Sequence, residues 1–90
     1  MNDKLGDWRK QIDELDNELL QILAKRIKIV VEIGKYKKAH NIAPLDKKRW
    51  QEVLESKLSK AELLNLSKDL IETIYEHIHK HSLEIERRSK

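Results

Sequence analysis

Positively charged residues interrupt the apolar face of a helical segment in the first half of this 90-residue chain. The face consists of four aliphatic residues at helical spacing, Leu19, Leu23, Val30 and Ile33. Arg26 lies within this face and Lys37 continues it. Their separation in the sequence corresponds to about 1100° of helix, or three turns plus roughly 20°, so both project from the same side. A charge on an apolar face is costly unless a partner neutralises it, and the two cations therefore favour a site for a small anion.

Two further groups of polar residues could complete such a site. Ser82 and Glu86 continue a helical line that begins at Tyr75, while Asp46 and Arg49 are close enough in sequence to be neighbours on a helix. Each also has a purely structural interpretation, since a lone cation usually extends its head group into water and Asp46 is suited to capping a helix. Only their joint occurrence favours a binding site.

Arg9 is a separate case. It precedes Arg26 by about 25 Å along a straight helix and is rotated from it by roughly 100°. Arg9 therefore cannot share a small ligand with Arg26 of its own chain, but it could reach the site of a second copy in an antiparallel or crossed dimer.

Metal and covalent chemistry have little support. The chain has no cysteine, which excludes thiolate nucleophiles and cysteine-type zinc sites. His77 and His81 have a spacing that could coordinate zinc, but no third ligand accompanies them, so we interpret residues 77–81 as an exposed histidine-bearing turn. We expect Trp8 and Trp50 to anchor the core or an interface. The sequence thus predicts no metal and no cofactor.

The elements that position these residues are three helices, and the predicted fold is all-α, in a single domain over residues 1–90. The first helix covers residues 5–38 and is roughly 50 Å long. Pro44 ends the connection that follows it, and Asp46 caps the second helix. The end of the second helix is open, because residues 59–62 form a capping-box pattern that could begin a new turn. Ser67 caps the third helix.

Composition narrows the function further. Charged residues make up 39% of the chain and the net charge is +3, an excess that suits a small anion but is too evenly interleaved for nucleic acid. No apolar run approaches the length of a membrane span, and the N-terminus has no hydrophobic signal core. We therefore expect a soluble cytoplasmic protein. A first helix this long cannot bury its apolar face against the rest of one chain, which predicts a homodimer.

The sequence resembles a known family over almost its whole length. The residues that carry the resemblance are WRKQIDELDNELLQILAKRIKIVVEIGKYKKAHNIAPLD, then RW and VLE, and then IHKHSLEIE. They resemble the all-helical class of chorismate mutase, and the RW pair is similar to mutase domains fused to DAHP synthase. The resemblance implies an intertwined dimer of three-helix protomers that rearranges chorismate to prephenate without a cofactor. This isomerisation belongs to the shikimate pathway and aromatic amino-acid biosynthesis.

The resemblance also assigns roles to individual residues. Arg26 would hold one carboxylate of chorismate and Arg9 of the second subunit the other, while Lys37 would donate to the ether oxygen. Three more positions would surround the hydroxyl and a carboxylate of the substrate: Asp46, Arg49 and Ser82.

Two positions depart from the family pattern. Trp50 stands where the family commonly has Glu, which contacts the ring hydroxyl, and an indole N–H can only donate. Glu86 stands where the family commonly has Gln, which donates to the ether oxygen, so Glu86 would need a proton to do the same. Two alternatives follow: an isochorismate-pyruvate lyase, which the same fold supports, or a weakly active helical dimer that binds or regulates DAHP synthase.

Overall fold

A computed structural model describes residues 3–89, which form three helices and no strand. Helix α1 spans Lys4–Ala39, α2 spans Lys47–Leu63 and α3 spans Lys68–Arg87. The predicted all-α fold with a very long first helix is confirmed. None of the described helices is both long enough and apolar enough to cross a membrane.

Side-chain caps fix where the second and third helices begin. The Asp46 carboxylate accepts a hydrogen bond from the backbone N–H of Arg49 at 3.0 Å. The Ser67 hydroxyl accepts one from the N–H of Leu70 at 3.2 Å. Each bond satisfies a backbone donor that the first turn of a helix leaves without a partner, a contribution of about 1 kcal/mol. Both predicted caps are confirmed.

Left-handed asparagines end the first two helices. Asn41 has a φ of 55°, and the N–H of Ile42 donates to the carbonyl of Lys37 at 2.8 Å, which closes a Schellman motif. Asn65, with a φ of 58°, ends α2 in the same way. The second helix therefore continues without interruption through residues 59–62, and the capping-box pattern there begins no new turn.

The helices pack so that α3 contacts both of the others, whereas α1 and α2 do not pack against each other over residues 3–89. The chain measures 62 × 27 × 15 Å, and its radius of gyration is 17.0 Å. A compact chain of this length would have a radius of gyration of about 12 Å. Val30 and Ala61 are the buried apolar side chains of the described part. One copy of the chain thus has almost no core of its own.

The N-terminal half of α1 extends beyond the packed part of the molecule. Its apolar side chains are more than half exposed, including Leu5, Trp8, Ile12, Leu15 and Leu19. These residues have the helical spacing of a buried face, yet no described residue of the same chain covers them.

A close approach between α1 and α3 occurs at Gly34. A Cβ atom at this position would lie 3.0 Å from the Cα of Glu86 and 3.2 Å from the Cβ of Ser89. Because glycine lacks that atom, the backbone of α3 can come near α1 at the level of Glu86.

Candidate functional site

A cleft of about 310 Å³ lies between α1 and α2 and is also lined by α3. Seven of the residues predicted from the sequence line it: Arg26, Lys37, Asp46, Arg49, Trp50, Ser82 and Glu86. We call it the cationic cleft, because three cations and two carboxylates leave it with one net positive charge. Arg9 does not line it, as its distance along α1 predicted.

The helical spacing explains how these residues meet. Arg26 and Lys37 project from one side of α1, together with the apolar Val30 and Ile33. The cations therefore border the cleft beside aliphatic side chains rather than pointing away from it. The predicted shared face of Arg26 and Lys37 is confirmed.

The ammonium of Lys37 is held from two sides. Its Nζ donates to the carbonyl of Pro44 at 2.6 Å and lies 2.7 Å from Oε1 of Glu86. The side chains of Lys37 and Glu86 are 20% and 9% exposed, so the ion pair is largely removed from water. Oε1 of Glu86 is buried, and the Lys37 ammonium is the charged group that it faces.

The start of α2 brings a second cation to the cleft. Asp46 uses one carboxylate oxygen for the backbone N–H of Arg49, not for its guanidinium. Within residues 3–89, neither Arg26 nor Arg49 forms an ion pair with a carboxylate. Both guanidiniums are therefore available to an anionic ligand, with the planar fork geometry that suits a carboxylate.

An aromatic stack forms another part of the wall. The ring of His79 stacks on that of Trp50, with centroids 4.0 Å apart and planes inclined by 9°. Burial lowers the pKa of His79 below its usual value; the Glu86 carboxylate opposes this shift, and the Arg87 and Lys37 cations add to it. Trp50 thus lines the cleft with its flat face covered by an imidazole.

The interpretation of residues 77–81 as an exposed histidine-bearing turn is confirmed for His77 and His81, which are exposed on α3. It is wrong for His79, which is half-buried and lines the cleft. The signal was present in the sequence, since His79 follows Tyr75 by four residues and precedes Ser82 by three. Over residues 3–89, no three His, Cys, Asp or Glu side chains are grouped as a metal site would require.

Comparison with known proteins agrees with the resemblance that the sequence shows over almost its whole length. Residues 8–87 match the family model described as chorismate mutase type II. The T-protein of Haemophilus influenzae is 39% identical over 70 residues, which are 78% of this chain and 19% of that protein. The T-protein of Enterobacter agglomerans is 35% identical over 79 residues, 88% of this chain and 21% of that protein. The chain spans about a fifth of the length of these curated relatives. The match over residues 8–87 identifies this chain as a member of the chorismate mutase type II family.

Proposed function

We propose that this chain rearranges chorismate to prephenate in the cationic cleft, as a step of aromatic amino-acid biosynthesis. The observation that carries the proposal is the convergence of Arg26, Lys37 and Arg49 on one cleft with aliphatic walls. Chorismate is a dianion with an apolar ring, and this combination of cations and hydrocarbon matches its chemistry. Membership of the family supplies the reaction class.

The reaction needs positioning and charge rather than a nucleophile. In the Claisen rearrangement the ether C–O bond breaks while a C–C bond forms within the same molecule, and the ether oxygen becomes electron-rich. A protein accelerates it by holding the folded conformer of the substrate and by aiming donors at that oxygen. An acceleration of 10⁶-fold requires about 8 kcal/mol. Since a charge-assisted hydrogen bond contributes about 1.5–3 kcal/mol, a few pre-aimed cations are of the right order.

The individual roles are those that the resemblance to the family implies, and the charges of the residues suit them. Arg26 holds one carboxylate of the substrate, and the half-buried Lys37 donates to the ether oxygen. The remaining polar groups surround the hydroxyl and a carboxylate: Asp46, Arg49 and Ser82. Trp50 forms the wall against the ring. The carboxylate of Glu86 lies beside Lys37 and partly neutralises the positive charge that Lys37 presents to the ether oxygen.

A second copy of the chain completes the site in this proposal. The cleft of one copy carries one net positive charge, whereas the substrate carries two negative charges. Arg9 of a second copy would supply the missing charge. The uncovered apolar side chains of α1 support a homodimer. Burying the exposed half of each such side chain in a dimer interface would contribute about 1 kcal/mol to the free energy of association. Leu15, which is 58% exposed, is one of them.

Mixing two inactive variants tests both the dimer and the contribution across it. Arg9→Ala and Arg26→Ala should each lose activity on their own, because every site then lacks one cation. In a mixed dimer, one site combines Arg26 of one chain with Arg9 of the other and is intact. Unfolding and refolding the variants together should therefore restore about a quarter of the wild-type activity by random pairing of subunits. A mixture that stays inactive would contradict the shared site.

The alternatives are separated by product analysis. Incubation of the purified protein with chorismate should yield prephenate. Pyruvate and salicylate from isochorismate would instead support an isochorismate-pyruvate lyase. Absence of either product, with binding to DAHP synthase, would support a regulatory dimer. The ion pair between Glu86 and Lys37 favours the regulatory dimer as the second candidate, because the carboxylate partly neutralises the cation that the reaction needs.

A further inference from the structure

The wall of the cationic cleft formed by α2 and α3 contains a polar ring to which the mechanism above assigns no role. The imidazole of His79 stacks on Trp50 at 4.0 Å with an interplanar angle of 9°. Both residues line the cleft. Because the indole of Trp50 is carried by a different helix, the contact restricts the plane of the imidazole, and its two nitrogens lie in that fixed plane.

The ring of His79 is uncharged near neutral pH. Burial lowers its pKa, and the positive charges of Arg87 and Lys37 act in the same direction, against the carboxylate of Glu86. From α2 the ring meets the uncharged indole of Trp50. A neutral imidazole has one N–H donor and one nitrogen that accepts. Within residues 3–89, no protein hydrogen bond engages either nitrogen of His79.

The substrate has one polar group that the cations cannot serve. Besides two carboxylates and an ether oxygen, chorismate carries a ring hydroxyl whose proton needs an acceptor. The cations of the cleft offer donors only: Arg26, Lys37 and Arg49. One carboxylate oxygen of Asp46 caps α2, and Glu86 is paired with the Lys37 ammonium, so the uncharged ring of His79 adds an acceptor whose plane is fixed by Trp50.

We propose that His79 accepts the hydrogen bond of the ring hydroxyl and thereby determines specificity for a hydroxylated ring. This inference rests on the proposed function. In this chain, a stacked His–Trp pair carried by two helices provides the acceptor that the indole of Trp50 cannot provide. His79 is thus a substrate-binding residue, and Trp50 is the positioning residue that holds its ring.

A paired comparison of substrates and variants tests the assignment. His79→Phe keeps a flat ring against Trp50 but removes the acceptor, whereas His79→Gln keeps an acceptor. For chorismate, His79→Phe should lower kcat/KM by about 3- to 10-fold, the value of one neutral hydrogen bond. For an analogue that lacks the ring hydroxyl, the same variant should leave kcat/KM unchanged, and His79→Gln should retain most of the discrimination. Equal losses on both substrates, or no loss on either, would overturn the proposal.

A second measurement does not depend on turnover. In a Trp8→Phe background, Trp50 is the remaining tryptophan of the chain, and a protonated imidazole stacked on it quenches its fluorescence. The emission should titrate with pH, and His79→Phe should abolish the transition. The ligand is a non-reactive chorismate in which the enolpyruvyl double bond is reduced, with and without the ring hydroxyl. The hydroxylated ligand should lower the titration midpoint relative to its matched control, because its hydrogen bond requires the neutral ring.

The two measurements distinguish two kinds of failure. A lower midpoint with the hydroxylated ligand, but no conversion of chorismate, would refute the proposed reaction and leave the assignment of His79 supported. Identical midpoints with the two ligands, in a protein that does convert chorismate, would refute the assignment alone.

Discussion

Replacement of Glu86 by glutamine is the change that tests the proposed mechanism most directly. The Glu86 carboxylate lies 2.7 Å from the Lys37 ammonium, and the pair is largely buried. During the rearrangement the ether oxygen gains negative charge next to Lys37. An ionised Glu86 offers only acceptor oxygens there, whereas glutamine presents an N–H donor. We therefore expect Glu86→Gln to accelerate the reaction rather than slow it.

The size of the effect follows from Coulomb's law. Two unit charges about 4 Å apart at an effective dielectric constant of about 20 interact by about 4 kcal/mol. A developing charge of roughly half a unit on the ether oxygen is therefore destabilised by about 2 kcal/mol when the carboxylate is ionised. Removing that repulsion corresponds to a rate increase of roughly 30-fold, since each 1.36 kcal/mol is about tenfold.

The assay is the rate of chorismate consumption at saturating substrate. The kcat of Glu86→Gln should exceed that of the wild type by roughly 30-fold. Circular dichroism and urea unfolding control for the lost ion pair. A variant that folds normally but is slower than the wild type would refute the reasoning.

Three further predictions concern stability. Gly34→Ala should lower the free energy of unfolding by about 1–3 kcal/mol, because the added Cβ would meet the backbone of α3 at Glu86; an increase in the urea midpoint would contradict the close approach. Asn65→Ala should lower the free energy of unfolding by about 1–2 kcal/mol, whereas Asn65→Gly should change it little, because φ is 58° at this position and glycine adopts such a φ without strain. Equal urea midpoints for the two variants would exclude a left-handed cap. Because the pKa of His79 is lowered in the folded protein, the unfolded chain binds the proton more tightly than the folded chain does. The neutral His79 therefore contributes its full stabilisation above the ordinary pKa of 6.5, and this contribution is lost as the pH falls from 6.5 through the lowered pKa of the folded state. Between about pH 7 and pH 5, the thermal midpoint of the wild type should therefore fall more than that of His79→Gln, and parallel curves would contradict this.

The sequence was sufficient for the helices because the signals that begin them are local. Asp46 and Ser67 each cap the backbone N–H three residues ahead, and such contacts can be read from the chain directly. The pattern at residues 59–62 is equally local but misleading. The helix continues through it because Asn65 supplies a complete C-terminal cap beyond it.

The site was predictable where one helix carries two of its members. Arg26 and Lys37 share a face of α1, so periodicity alone brings them together. The spacing of His79 from Tyr75 and Ser82 could have placed it at the cleft, but its stack on Trp50 could not be predicted, because that stack is a tertiary contact between two helices. The ion pair between Lys37 and Glu86 was missed for the same reason.

Lys37 ties the cleft to the connection between the first two helices. Its backbone carbonyl accepts a hydrogen bond from the N–H of Ile42, and its ammonium donates one to the carbonyl of Pro44. Lys37 therefore stabilises the turn formed by residues 40–46 at two points. A ligand oxygen that attracts this ammonium competes with Pro44 for it. Ligand affinity and the rigidity of residues 40–46 are consequently linked in both directions. A sequence change at residues 40–42, which do not line the cleft, would therefore alter the affinity of the cleft for its ligand.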